Sequence, residues 1–343
     1  MSNRRVITIK DIAREVGVHP STVSRALKKD SKTPPSQDVV DRILAAAETM
    51  GYRPNRLASG LRTSRSMLIG VMVTDIADPL YPRILRGIES VMEPLGYNSL
   101  IVNTDDDPVR ACKLIEVLGE RGVDGILNGA VYFGDSPTLS AVENGLPIVT
   151  FNRRLEGEAV SSVVSDQEEG MSAVVKHLYG LGHRRIGLIC GPQNRSTGQG
   201  RAKACFETMA ELGVTPPGEA VVSARSWQED EGARGAAAIL GTDFDPTAIV
   251  CCNDRLAIGA LREMKVRRIA CPDRISITGF NDSLNVDLLE PPLTTVRVPK
   301  QEMGAMAART LLDQIESPGP VRGAHSILPV ELLVRRSTGP ARP

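Results

Sequence analysis

From residue 68 onward, short apolar runs alternate with amphipathic stretches, and this alternation decides what the chain can fold into. Strand-like runs are expected at 68–73, 99–103, 125–127, 148–151, 186–190, 248–251 and 275–279. Helical periodicity is expected near 80–93, 108–120, 168–181, 199–212, 230–240 and 254–264. Continuous apolar strands separated by helices call for parallel sheets covered on both faces. Seven or more such strands over this length read as two sheets, an α/β body. Ligands in sheets of this kind sit beyond the carboxyl ends of the strands.

Those strand ends carry a repeated chemistry. Asp75, Asp78 and Tyr81 follow the first strand, Asn152, Arg153 and Arg154 the fourth, and Arg195, Ser196 and Thr197 the fifth. Asn253 and Asp254 follow the sixth, and Asn281 and Asp282 the seventh. Amides, carboxylates and arginines converging on one crevice suit a polyhydroxylated or anionic small molecule. Taken singly, each also reads as a helix cap or turn residue, Asn253 and Asp282 above all. The repetition at strand after strand favours the site.

The first 65 residues are of another kind. Ile9, Ile12, Ala13 and Val16 make one apolar helical face, Gly17 supplies a left-handed stop, and Pro20 opens a second short helix whose apolar face continues through Val23, Ala26 and Leu27. This spacing leaves Ser21, Thr22, Ser24 and Arg25 outward, hydroxyls for phosphate oxygens and an arginine fork for guanine. A third helix runs from 36 or 37 through 50, with Val39, Val40, Ile43, Leu44, Ala47 and Met50 as its expected buried stripe. Two helices around a tight turn are the arrangement that lays a helix in the major groove of DNA. The formal net charge of zero hides an asymmetry: residues 1–65 hold 13 Lys and Arg against 6 Asp and Glu, leaving 28 against 35 for the remainder. A basic head on an acidic body confines nucleic-acid attraction to one end.

At 343 residues two or three folding units are expected. Tyr52-Arg53-Pro54-Asn55 closes the helical head, and the polar stretch 59–66 connects it to the first strand. Six cysteines, at 112, 190, 205, 251, 252 and 271, lack metal-ligand spacing and read as free thiols in a reducing compartment. Neither a secretory core nor a membrane-length apolar run is evident. Phosphate loops, nucleophile elbows and paired-histidine zinc motifs are also missing, which argues against an enzyme. The four histidines are scattered, and His177 and His183 read as caps or satisfied surface groups. A solute-binding transport component would share a two-lobed body, but it would need an export signal and would not need a basic helical head.

Several motifs in fixed order resemble the LacI/GalR family of transcription regulators over essentially the whole chain. In the head they are Thr8-Ile9-Lys10-Asp11-Ile12-Ala13, Val16-Gly17-Val18, Ser21-Thr22-Val23-Ser24-Arg25 and Gly51-Tyr52-Arg53-Pro54-Asn55. In the body they are Gly182-His183-Arg184-Arg185-Ile186, the run Asn253 to Ala260, Ile275 to Asn281, and Pro291 to Val296. The resemblance implies a three-helix helix-turn-helix domain over 1–52, a hinge helix and linker over 53–65, and a two-lobed periplasmic-binding-protein-like body of two parallel sheets flanked by helices. Its first effector-binding and dimerisation lobe would take 66–163 plus 297–324, its second 164–296 plus 325–343.

By the same resemblance, Pro20, Ser21 and Arg25 read base edges of a pseudo-palindromic operator, with Arg25 on guanine and Pro20 limited to apolar contact. Thr8, Thr22, Ser24 and Tyr52 position the backbone, and His19, replacing the serine common there, implies a weaker helix cap. Asn55, Ala58 and Leu61 match a hinge helix that enters the minor groove, where a leucine wedges between base steps. Tyr81, Arg201, Trp227 and Asn253 match effector positions, and Arg195 and Thr197 match positions used by purine-responsive relatives. Asn152 and Asn281 stand where many sugar-responsive relatives have aspartate, while Arg153, Arg195 and Arg201 add positive charge. The implied effector is a sugar-like molecule, a sugar acid or a nucleoside, with or without a carboxylate or phosphate. No cofactor or metal is implied. The implied protein is a cytoplasmic homodimeric repressor, found at the nucleoid when DNA-bound, whose effector closes the lobes and resets the spacing of two DNA heads.

Overall fold

The computed structural model describes residues 7–27, 33, 35–52, 65–317 and 323–342. The chain divides into two compact units, Met1–Ser66 and Met67–Pro343.

The first unit holds α1 (Ile9–Val16), α2 (Pro20–Ala26) and α3 (Gln37–Thr49). Thr8 and Asp11 form a reciprocal capping box at the start of α1, and Gly17 ends that helix at φ 74°. Ile12, Val23 and Ile43 are fully buried where the three helices meet, with Ala13, Val16 and Ala47 around them. Leu44, expected in the buried stripe of α3, is 48% exposed. The stripe is centred on Ile43 and Ala47 with Val39, Ala46 and Met50 beside them, and Leu44 lies a hundred degrees round the helix from Ile43. The Arg42 guanidinium donates to the Val16 carbonyl at 2.9 Å, tying α3 to the end of α1.

The second unit begins with β1 (Leu68–Val73), α4 (Tyr81–Met92), β2 (Asn98–Asn103), α5 (Pro108–Glu120), β3 (Gly125–Asn128), α6 (Ser136–Glu143), β4 (Ile148–Phe151) and β5 (Ser161–Ser165). It continues through α7 (Gln167–Gly180), β6 (Ile186–Cys190), α8 (Ser196–Glu211), β7 (Val221–Ser223), α9 (Glu229–Ile239), β8 (Ala248–Cys251), α10 (Asp254–Val266) and β9 (Ser276–Thr278). The last elements are β10 (Thr295–Arg297), α11 (Lys300–Glu316), β11 (His325–Leu328) and β12 (Glu331–Leu333). Two parallel sheets result, one in the order β11-β5-β4-β3-β1-β2 and one in the order β7-β6-β8-β9. β1, β3 and β4 are buried almost throughout, as the continuous apolar runs require of strands covered on both faces, and the more polar β5 is buried with them.

The chain leaves the first sheet after β5, returns after β9 and leaves again after β11, with β10 and β12 paired antiparallel at the crossing. One expectation is corrected here: 325–328 does not join the second lobe but pairs with 162–165 at the edge of the first sheet. β5, β7, β10, β11 and β12 and helices α6 and α11 escape the sequence periodicity. All of those strands are three to five residues long, and the buried face of α11 mixes Gly304, Ala305, Ala307 and Ala308 with Met303, Leu311 and Leu312. All six cysteines are unpaired.

Candidate DNA-reading helix and effector cleft

In the head, Pro20 occupies the first turn of α2 and sets its direction. The Ser21 backbone N–H donates to His19 Nδ1 at 3.2 Å, so the imidazole fills the cap expected to be weak. Ser21 and Arg25 are exposed on the helix, Thr22 and Ser24 are half-buried, and Arg25 Nη2 donates to Thr22 Oγ1 at 3.4 Å. Thr8 is exposed but its hydroxyl donates to Asp11 Oδ2 at 2.7 Å, and the half-buried Tyr52 ring packs on the head core, which pushes its phenol pKa up. Thr8 and Tyr52 therefore serve the fold as well as any partner. Asn55, Ala58 and Leu61 lie outside the described residues.

In the body, strand ends from both sheets surround a small cavity lined by Thr74, Asp78, Leu80, Tyr81, Asn152, Arg153, Thr197, Arg201, Trp227, Asn253 and Asn281. Eight of the nine effector residues expected from the sequence are in that set. The cavity has a free volume of about 30 Å³, room for a water molecule, and an adjoining chamber of about 270 Å³ shares Thr74, Asp78, Arg153 and Trp227. A drug-sized ligand needs several hundred Å³, so occupancy requires the two spaces to merge or the side chains to part.

Each wall residue has a local reason for its place. Asn152 and Asn281 hold left-handed backbone, φ 62° and φ 119°, which turns the chain sharply off its strand. Asn253 caps α10 through Oδ1, accepting from the Leu256 N–H at 2.8 Å, so it is a cap and a lining residue at once. Asp254 behind it is fully buried, with a pKa raised by that burial; it accepts from the Ser283 N–H at 2.6 Å and from Thr295 Oγ1 at 2.5 Å, pinning the loop after β9 to β10. Lys300, also buried, donates to the Asp282 carbonyl at 2.9 Å and to that of Asn281. Trp227 packs closely against Gly191, where a methyl group would come to 2.0 Å from the ring. Tyr81 meets Phe151 edge-on and shares a 2.6 Å hydrogen bond with Thr74 Oγ1.

The cavity floor is Arg201. It is 2% exposed and lies 3.8 Å from the Phe280 ring centroid. Its guanidinium donates to the Cys252 carbonyl at 2.7 Å, to Asn281 Oδ1 at 3.2 Å and to Gln167 Oε1. All three acceptors are neutral, and Arg201 makes no ion pair with a carboxylate among the described residues. Burial pulls its pKa down to about 10, against the nearby buried Asp254, which raises it without forming an ion pair. The mouth differs: Arg255 pairs with Asp75 and Asp78 at 3.5 Å and with Glu229 at 2.8 Å. Arg195, expected in the pocket, does not line it; its guanidinium turns to Asp106, which also accepts from Arg153 Nη1 at 2.8 Å.

Sequence reasoning missed Leu80, Thr74 and Gln167, which carry no charge signal; Asp78, expected with the strand-end residues of the crevice, lines the cavity. His183 is satisfied as expected, by Thr247 and the Gly339 carbonyl at 3.0 Å each, but it is buried rather than at the surface. Among the described residues no cluster of three potential ligands could hold a metal ion, and no helix is long and apolar enough to cross a membrane.

A family model for bacterial regulatory proteins of the lacI family matches residues 8–55, and one for a periplasmic binding protein-like domain matches residues 175–338. The HTH-type transcriptional regulator DegA of Bacillus subtilis (strain 168) is 33% identical over 97% of this chain and 98% of its own. A crystal structure of the Lac repressor dimer bound to operator and the anti-inducer ONPF shares the fold, with a TM-score of 0.87 over 98% of this chain and 100% of that one, at 24% identity. A complex of the transcriptional regulator CelR with cellobiose gives a TM-score of 0.74 at 26% identity, over 96% of this chain and 99% of that one.

Proposed function

The chain belongs to the LacI family of bacterial regulatory proteins, and from that premise we propose that it is a homodimeric repressor released from or recruited to a pseudo-palindromic operator by an anionic small molecule. It is a transcriptional regulator, not an enzyme. The DNA-reading set is Thr8, Pro20, Ser21, Thr22, Ser24 and Arg25 with Tyr52, completed by Asn55, Ala58 and Leu61. Arg25 is the base reader, and Arg25→Ala should cost about 1–3 kcal/mol of operator affinity while leaving ligand binding intact. The protein acts in the cytoplasm, at the nucleoid when DNA-bound, a reading supported by six unpaired cysteines.

The effector set is Tyr81, Asn152, Arg153, Thr197, Arg201, Trp227, Asn253 and Asn281, with Arg195 behind it. One observation carries the ligand class: a fully buried arginine whose described acceptors are all neutral. A buried cation without a directly paired carboxylate is costly, and a carboxylate or phosphate from a sugar acid, sugar phosphate or nucleotide-like ligand offsets that cost. Trp227 offers a flat face for the sugar ring or base. Because the walls come from both sheets, the ligand favours one lobe arrangement over another and so biases the spacing of two heads in a dimer.

A thermal-shift screen of sugars, sugar acids, sugar phosphates and nucleosides, followed by operator binding at fixed salt with and without each hit, tests the reading. The expected result is stabilisation by an anionic ligand together with altered operator affinity. Tight calorimetric binding of a neutral monosaccharide alone, indifferent to Arg201→Ala, would sink the anionic assignment. A ligand that stabilises the protein and leaves operator affinity unchanged would sink the allosteric one.

A further inference from the structure

At the cleft, the loop after β2 places Asp106 between two arginines from different parts of the body. Its carboxylate accepts from Arg153 Nη1 at 2.8 Å and from Arg195 Nε at 3.3 Å, and its carbonyl accepts from Arg195 Nη2 at 3.2 Å. Arg153 precedes the crossing out of the first sheet, whereas Arg195 opens α8 in the second lobe. Both arginine side chains are about nineteen-twentieths buried; the Asp106 side chain is 31% exposed and lines the open chamber. Asp105 and Asp106 both hold left-handed backbone, φ 54° and φ 55°, an arrangement that two consecutive non-glycine residues adopt only under local constraint.

The donors here exceed what Asp106 uses. Arg153 Nε is buried without a hydrogen-bond partner, although the same side chain lines the small cavity and the chamber. α8 begins without a side-chain cap, and Thr197 in its first turn lines the small cavity too. A buried guanidinium N–H left unpaired, next to a helix start, is a place for an oxyanion. We propose that Asp106 is a built-in competitor for the effector's anionic group, occupying on Arg153 and Arg195 the donors that a carboxylate or phosphate would take. The inference rests on the anionic-effector reading and adds a specificity residue to it. Only a ligand group with two or more oxyanion acceptors replaces both contacts of Asp106, reaches the orphan Arg153 Nε and leaves no guanidinium unpaired. A neutral hydroxyl cannot, so Asp106 discriminates against neutral sugars.

Inorganic phosphate, titrated against the full chain by calorimetry and thermal shift, provides the test. Asp106→Asn is expected to bind phosphate at least about tenfold more tightly than the unsubstituted protein, about 1.4 kcal/mol. Adding Arg153→Met to that variant is expected to abolish the gain, which a merely structural role for Asp106 would not produce. A folded Asp106→Asn protein that binds phosphate no better, or a gain that persists without Arg153, overturns the proposal. If Asp106→Asn does not fold, Asp106→Ser is judged by the same criteria. Failure of both to fold assigns Asp106 to holding the lobes together and overturns it as well. An anionic hit in the ligand screen alongside a failed phosphate test removes the role of Asp106 alone, while the absence of any anionic hit removes the reading beneath it.

Discussion

Arg201 at the floor of the cleft and Arg255 at its mouth are both residues of the second lobe's helices, yet they live in opposite electrostatic surroundings. Arg201 is almost completely buried and meets two carbonyl-type amide acceptors and one backbone carbonyl. Arg255 keeps 14% of its side-chain surface and meets three carboxylates, Asp75, Asp78 and Glu229. The mouth neutralises itself with the protein's own charges. Among the described residues the floor gives Arg201 no directly paired carboxylate, and a charge that the fold leaves unpaired is one that a ligand can complete. On the proposed reading, the difference separates a residue that ties the lobes together from one that recognises the ligand.

The sharpest way to break this contrast is Arg201→Met. It should reduce the affinity for an anionic hit by about a hundredfold or more, since a charge-assisted contact in a dry site is removed. Its melting temperature should hold or rise, because a buried charge without an ion pair is gone and the volume is roughly kept. Loss of stability together with unchanged ligand affinity would reverse the roles assigned here. Arg255→Met should do the opposite. Leaving Asp75, Asp78 and Glu229 without their common partner costs about 2 kcal/mol, a fall of several degrees in Tm by calorimetry, with only a modest change in ligand affinity.

Asn281→Asp would convert the floor into a copy of the mouth, because Asn281 Oδ1 already accepts from Arg201 at 3.2 Å. Binding of an anionic ligand should weaken about tenfold while Tm rises, a shift readable by titration of the same hit. The smallest effect is a pH dependence. Arg255 holds the Glu229 carboxyl below its ordinary range, and burial pushes Asp78 up. A carboxyl with a depressed folded pKa contributes stability that is fully present above the ordinary carboxylate value and is lost as pH falls through the folded one. Asp78 takes its proton more readily when folded, so stripping it of Arg255 matters less in acid. The Tm gap between the unsubstituted protein and Arg255→Met should therefore be widest near pH 8 and narrow below about pH 5, and a gap that widens in acid would contradict the assignment.

Much of this cleft was legible because its residues follow strands, and strands announce themselves locally. Asn152, Asn253 and Asn281 stand just beyond apolar runs, so the rule that ligands gather at carboxyl ends found them without coordinates. Arg195 shows the limit of that rule: it too follows a strand, but its guanidinium is drawn to Asp106, 89 residues earlier, and away from the cavity. Leu44 shows a second limit, since the width of a buried stripe depends on what packs against it. Gln167, a neutral acceptor on Arg201, carries no local mark of its role.

By itself the sequence determined the helical head with its glycine turn, the alternation that forces two covered parallel sheets, and the positions at which a ligand could sit. Each follows from short-range chemistry: helical spacing, backbone preference at Gly17, and apolar runs that must be buried. The tertiary structure alone decided that 325–328 returns to the first sheet, that Asp106 takes Arg153 and Arg195, and that Arg201 has only neutral acceptors while Arg255 has three acids. These outcomes depend on which distant groups are brought within 3 or 4 Å and how much water is excluded between them. Neither quantity is a property of any stretch of chain taken alone.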